Sequence, residues 1–419
     1  MTDAATQSWL DAATEGPDFP GRAAARAAFA KTGLPHRRME DWKYTDLRAR
    51  LHEALPAAEP FESLGARAFG DMAGATIQFG NGFFVGIKGE LPQGLEAMPL
   101  ADAMVLDWAK ARLGKGKAPE GHPMVALNTA LVHEGVAIRV AKGVTAGTIV
   151  LTHEGQSGRQ AVRNLIVVEE GAEATLIETH HGGVEAQQFQ QVTEIFVAPG
   201  AKLTHIRLQV AGRATVHLGT DLVDVAQDAD YRGFVLNTGA ELSRQESFIE
   251  FSGQNAEAHI SGAYLLSGDQ HGDITTRVNH AVPDCVSREV FKGVIADEAR
   301  GVFQGKINVA EDAQKTDGHM LNKTLLLSDR AEMDAKPELE IYADDVKCSH
   351  GATTGQLDAN QLFYLRARGI DEATARGLLM QSFLAEALME VEDDQIREVL
   401  QARVNAWLEA HATAWRAAA

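Results

Sequence analysis

The chain has 419 residues, enough for two or three domains and a large buried core. Its 58 acidic and 39 basic side chains leave a net charge of −19, which argues against nucleic acid as a partner, because phosphate recognition wants a surplus of Lys and Arg. No stretch approaches roughly 18 consecutive apolar residues, the N-terminus has no secretory pattern, and only two cysteines occur; the expectation is a cytoplasmic protein that does not enter a membrane.

Residues 1 to 56 read as mainly helical: GRAAARAAFAKTG is rich in alanine, Gly33 suits the position after a helix, and Pro35 blocks continuation. Residues 57 to 135 are mixed. ATIQFGNGFFVGI places Asn81-Gly82 between two β-like runs, a strong hairpin signal, and LADAMVLDWAKARLGKG predicts a short helix. Residues 1–135 are thus expected to form an N-terminal mixed helical domain.

From 136 to 355 short strands follow one another without an ordinary helix between them. A weak repeat runs through them: an apolar residue, three mostly polar or small residues, then usually Ala. VAKGV starts at Val140, VEEGA at Val168, VAPGA at Val197 and VAQDA at Val225, spaced 28, 29 and 28 residues; FSGQNA follows at Phe251, IADEA at Ile295 and LSDRA at Leu327. A period near 28 with two strands and two turns per unit predicts a mainly β fold whose core is a parallel β-helix or solenoid, with a β-sandwich as the main rival.

Residues 356–419 predict a C-terminal helical domain of three helices. Asp358 and Asp371 are the expected N-caps of the first two, Gly369 the stop of the first, and the third runs from about Asp394. Phe363, Tyr364 and Leu365 crowd the first; Leu378, Leu379, Phe383, Leu384 and Leu388 form an apolar stripe on the second. Such a stripe serves either the core or a partner.

Motifs that carry chemistry are scarce. There is no G-x-x-x-x-G-K-[ST], H-E-x-x-H, C-x-x-C or G-x-S-x-G, so the chain is not a P-loop ATPase by itself. His180-His181 is expected at a coil turn, and adjacent strand residues point oppositely, so the two cannot chelate together. What remains is DDVKCSHG. If it is a strand, Val346, Cys348 and His350 share one face, and Asp345, Lys347 and Ser349 the other. Cys348 and His350 then meet either the core or a surface covered by a partner. As a metal site the pair is incomplete, because zinc and iron–sulfur sites take four ligands. Cys285 lies in what reads as a turn.

DDVKCSHGATTGQLDANQLFYLRARGI, the preceding KTDGHMLNKTLLLSDRAEMDAKPELEIYA and the N-terminal MEDWKYTDLR resemble the SufB/SufD family of iron–sulfur cluster assembly proteins, over about Arg37 to Leu388. Within it the chain is similar to the SufD type: the SufB type has acidic residues flanking the matching histidine, where Ser349 and Gly351 stand here. The resemblance implies a right-handed parallel β-helix with helical terminal domains. It also implies a SufBCD complex, with SufB paired through the β-helix and the SufC ATPase docked on the C-terminal helices (Phe363, Tyr364, Leu378, Leu379, Phe383, Leu384).

In that reading no cofactor is held tightly by this chain alone; iron or a nascent cluster would be held transiently at the interface with SufB, with His350 as candidate ligand and Cys348 as an interface thiol. The chain itself would be a non-catalytic scaffold, ATP hydrolysis being supplied by SufC. The alternatives are a structural solenoid that forms homodimers without a cluster role, and a polysaccharide-acting β-helix enzyme.

Overall fold

The computed structural model describes residues 3–14, 19–62, 68–70, 72, 74–183 and 185–417, with side chains described as far as His411. Asp3 caps α1 (Ala4–Ala12) by accepting from the Thr6 N–H, and α2 (Arg22–Thr32) stops at Gly33, whose φ of 70° lies in the left-handed region. Asp46 caps the single turn α3 (Leu47–Arg50). The hairpin forms as expected: β1 (Ala75–Gly80) and β2 (Phe83–Gly89) run antiparallel, with Asn81 and Gly82 at φ 52° and 80°.

After β3 (Leu95–Pro99), the segment read as one helix forms two single turns, α4 (Leu100–Ala103) and α5 (Asp107–Lys110). Ala103 and Ala109 are both fully buried. Six residues apart on one helix they would point about 240° apart, so a break is needed to bury both. Pro123 at its first turn and His122 as N-cap start α6 (Pro123–Leu131).

Sixteen strands then alternate without interruption. They are β4 (Val136–Val140), β5 (Thr145–Gly155), β6 (Gly158–Val168), β7 (Glu173–Gly182), β8 (Gln187–Val197) and β9 (Lys202–Val210). Next come β10 (Thr215–Val225), β11 (Asp230–Asn237), β12 (Leu242–Phe251), β13 (Glu257–Leu266) and β14 (His271–His280). The last are β15 (Val286–Ile295), β16 (Arg300–Val309), β17 (Asp317–Leu326), β18 (Glu332–Ile341) and β19 (Lys347–Gly355).

Even-numbered strands from β4 to β18 form one parallel sheet edged by β3; odd-numbered strands from β5 to β19 form the other, edged by β1 and β2. Each even strand with the odd strand after it makes one coil, so the chain winds a parallel β-solenoid of eight coils. A sandwich is excluded by the parallel register in both sheets.

The repeat is the corner of this winding. Val140, Val168, Val197, Val225 and Phe251 stack in direct register at the ends of successive even strands. Ala172, Ala201, Ala229 and Ala256 are the buried small residues that follow them. Three positions after the apolar residue the backbone is left-handed, filled by Gly171 and Gly200 and then by Asp228, which tolerates that region better than most residues.

The ladder continues through His280, Val309 and Ile341, which the sequence pattern did not reveal. Ile295 and Leu327 lie at the opposite corner instead: Ile295 ends β15, and its register partner is Leu326. The loss of register after Phe251 is therefore a switch from one corner to the other, not an end of the solenoid.

The space between the sheets is filled by one apolar cluster from Ile77 to Ala343. Both outer faces are also covered, which is why strands such as β6 are buried along nearly their whole length rather than alternating. The N-terminal helices cover the even sheet around Leu218 and Leu242. On the odd sheet, α8 (Glu372–Leu388) and α9 (Asp394–Ala417) pack Met380, Leu384, Leu388, Leu400 and Val404 against Ile206, Leu236 and Val294. The preceding α7 (Ala359–Ala367), capped by Asp358, has no buried residue.

Among the described residues no helix is long and apolar enough to cross a membrane.

Candidate functional site

Among the described residues nothing caps the last coil of the solenoid. β18 and β19 are the outer strands of their sheets, each paired on one side only. Burial falls away toward them: β17 alternates buried and half-buried, whereas most of β19 is exposed. The Lys347 N–H points back to the Thr316 carbonyl. Parallel pairing alternates, so the N–H groups of Cys348 and His350 point to the free edge.

Cys348 stands in register with Gly318, and His350 with Met320, a residue buried between the sheets. Both side chains therefore belong to the interior face, as expected from alternation. They differ in environment: Cys348 is half-buried against the core, whereas His350 is exposed because no ninth coil covers it. Burial pushes the Cys348 thiol up, and the Asp317 carboxylate adds to this against a hydrogen bond from the Gly318 backbone. The group is a protonated thiol at neutral pH rather than an activated thiolate.

Cys285 is fully buried and directs its Sγ to the Gly253 and Pro283 carbonyls at 3.4 and 3.5 Å. Its chain position, just before β15, lies two strand spacings below β19, or about 9.5 Å, far beyond the span of a shared metal. Among the described residues no three His, Cys, Asp or Glu side chains converge into a cage. Cys348 and His350 thus offer two donors at an open seam, and a four-ligand site there takes its remaining donors from outside this chain.

The outer side of the same strands carries a hydrogen-bonded set that the sequence did not reveal. His319 bonds Asp317 through Nε2 at 2.8 Å and Ser349 through Nδ1 at 2.5 Å, and Arg288 pairs with Asp317 at 3.0 Å. These groups tie β19 to β17, but alternation puts them on the face opposite His350.

The C-terminal residues separate into two groups. Phe363, Tyr364, Leu378 and Met389 are exposed, Leu379 and Phe383 are half-buried, and Leu384 is fully buried against the sheet. Leu384 is accordingly core, correcting its assignment to a docking face. The second helix did not need a foreign groove because the outer face of the odd sheet, invisible as a surface in the sequence, receives its stripe. Phe383 is covered by the Lys292 ammonium, 4.4 Å above its ring.

MEDWKYTDLR proves to be a fastener. Trp42 is buried with the Arg244 guanidinium 3.8 Å from its ring centre, and Arg244 donates to Glu246 and to the Asp41 carbonyl, both at 2.8 Å. Thr45 bonds His271 at 2.9 Å and also Asp273.

His180 lies on β7, not in a turn, and faces the interior, stacked on His153 at 4.8 Å between ring centres. Beside it Arg207 bridges Glu178 and Asp221, each at 2.7 Å. Burial would raise Glu178, but Arg207 and the flanking histidines hold it well below the usual carboxylate range. Nothing in strand periodicity announces this buried cluster, since its members come from different coils.

Comparisons with known proteins place the chain among its relatives. Residues 149–383 match the family model described as SUF system FeS cluster assembly, SufBD core domain. The chain is 32% identical to the iron–sulfur cluster assembly protein SufD of Escherichia coli over 89% of both chains. It is 29% identical to a SufBD family protein of Synechocystis, covering 85% of this chain and 84% of that one, and 26% identical to Bacillus subtilis SufD over 68% and 67%.

Proposed function

This chain belongs to the SufBD family of SUF-system iron–sulfur cluster assembly proteins, and from that premise we propose that it is a SufD-type scaffold that completes its site against SufB. The observation that carries the reading is the uncapped last coil: an interior-facing thiol and imidazole stand at a strand edge with unpaired backbone groups. A solenoid end of this kind offers unpaired strand edges and an uncovered core to whatever can stack on it. A second solenoid that offers further thiolate or carboxylate donors would satisfy both the edge and the metal.

In this assembly His350 takes one position on iron, while Cys348, protonated and half-buried, lines the seam. The chain performs no bond-breaking chemistry. The free face of α7, with Phe363 and Tyr364, and the neighbouring Leu378 offer an aromatic and aliphatic patch for the SufC ATPase. Nucleotide-driven movement would then reach the seam through α8, which is packed on the odd sheet.

The test is anaerobic purification of the chain with SufB and SufC, with iron and sulfide measured per complex for the wild type and His350→Ala. The variant should assemble normally and lose about tenfold or more in bound cluster. Full cluster content in the variant would remove His350 from the site. A homodimer that persists in the presence of SufB would favour the structural reading instead.

A further inference from the structure

Among the described residues three carboxylates are buried in the solenoid interior, and one is treated unlike the others. Glu178 faces Arg207 and two imidazoles, and Asp221 faces the same Arg207. Glu289, on β15, faces no cation. Its Oε2 accepts one hydrogen bond, from Thr276 Oγ1 at 2.5 Å across the core, and its Oε1 is buried without a partner. Register places it directly below Met320, which in turn lies directly below His350.

The inward positions of the surrounding strands are neutral: Ile260 on β13, Met320 on β17, Ile274 and Val278 on β14, Phe303 and Ile307 on β16. The charged residues of these strands, among them Arg288, Lys292, Asp273, Arg277, Lys306, Asp317, His319 and Lys323, alternate to the outer faces. The other titratable groups on inward positions of these coils are Tyr264; His280, which bonds Ser287 at 2.9 Å and which burial holds neutral down to about 4; Cys285, whose thiol burial pushes up; and, at the open edge, Cys348 and His350. Solenoid interiors tolerate a lone acid of this kind only in its neutral form.

We propose that Glu289 is a proton-operated latch beneath the assembly edge: its neutral form seals the last two coils on the coil below, and loss of its proton opens that interior to water. The placement is what gives it this role, since an anion there has no counter-charge and the least-covered coils of the molecule lie immediately above. Burial pushes the carboxyl up to about 7 from 4.5, so the latch operates near neutral pH. This deepens the reading of the open end as the assembly site, but the test below uses the chain alone and needs no cluster.

Amide exchange of β17 and β19 should be followed from pH 5 to 8 in the full chain and in Glu289→Gln, which keeps the shape and can still accept from Thr276. Opening releases the Glu289 proton between its two pKa values. The ratio of opening constants, wild type over variant, should therefore rise about tenfold per pH unit from 5 to 7 and then level off. Taking the ratio cancels His280, which titrates with the opposite sign in both proteins. The same ratio for β7 and β9 should stay flat. A β17–β19 ratio independent of pH overturns the proposal. So does a Glu289 carboxyl carbon that titrates near 4.5 by NMR in glutamate-labelled wild-type protein, a readout that needs no variant.

Discussion

The two ends of the solenoid are built on opposite principles. At the first, β1 pairs in parallel with β5 but is closed off by the antiparallel β2, and β3 runs antiparallel to β4. Reversing strand direction stops the winding, and β1 is buried almost throughout. At the last, β18 and β19 simply end, with Ile341 and Tyr342 exposed and charged side chains such as Lys347 and Asp345 along the fringe. The fringe discourages indiscriminate strand pairing while leaving the edge available. In the proposed function it is the uncapped end that receives the partner.

Substitutions at the two ends should separate stability from assembly. Phe79→Ala, a fully buried side chain of the capped end, should cost about 4 kcal/mol in chemical unfolding and leave the chain poorly folded. Leu384→Ala should cost about 3 kcal/mol by the same measurement, because it empties the seam between α8 and the odd sheet; Leu378→Ala, on the exposed side of that helix, should change stability by less than about 0.5 kcal/mol and be detected only in ATPase binding.

Glu289→Gln sharpens the comparison through pH. A carboxyl raised from 4.5 to about 7 on folding keeps its full contribution below 4.5 and loses it as pH rises to 7. Between pH 4.5 and 8 the wild type should therefore lose about 3 kcal/mol relative to the variant in urea unfolding. Smallest in stability is Tyr342→Ser at the open edge, within about 0.5 kcal/mol of wild type, yet it should weaken capture of SufB about tenfold or more in a binding titration. If Tyr342→Ser unfolds the protein instead, the end is structural and the contrast fails.

Much of this was legible in the residues. The hairpin at Asn81-Gly82, the caps at Asp358 and Asp371 and the strand ladder from Val136 depend on local rules, and local rules are written locally. The repeat is legible as far as Phe251 and not beyond it. The next corner position is occupied by His280, and Ile295 carries at the other corner a pattern similar to the one that Val309 carries at this one.

Alternation alone places Cys348 and His350 on one face, but their unequal exposure depends on the absence of a further coil, which no neighbouring residue encodes. Leu384 and the Glu178–Arg207–Asp221 cluster were illegible for a related reason. A helical stripe does not name the surface that receives it, and ions brought together by winding are some 14 to 29 residues apart in sequence.

The central claim is that the uncapped coil closes against another solenoid. Amide exchange of the free chain and of the chain mixed with SufB tests it most directly. The account predicts that β18 and β19 gain strong protection, including the outward N–H groups of Cys348 and His350, while β2 at the capped end is unchanged. Unaltered exchange at β19 in a complex that has formed would contradict it.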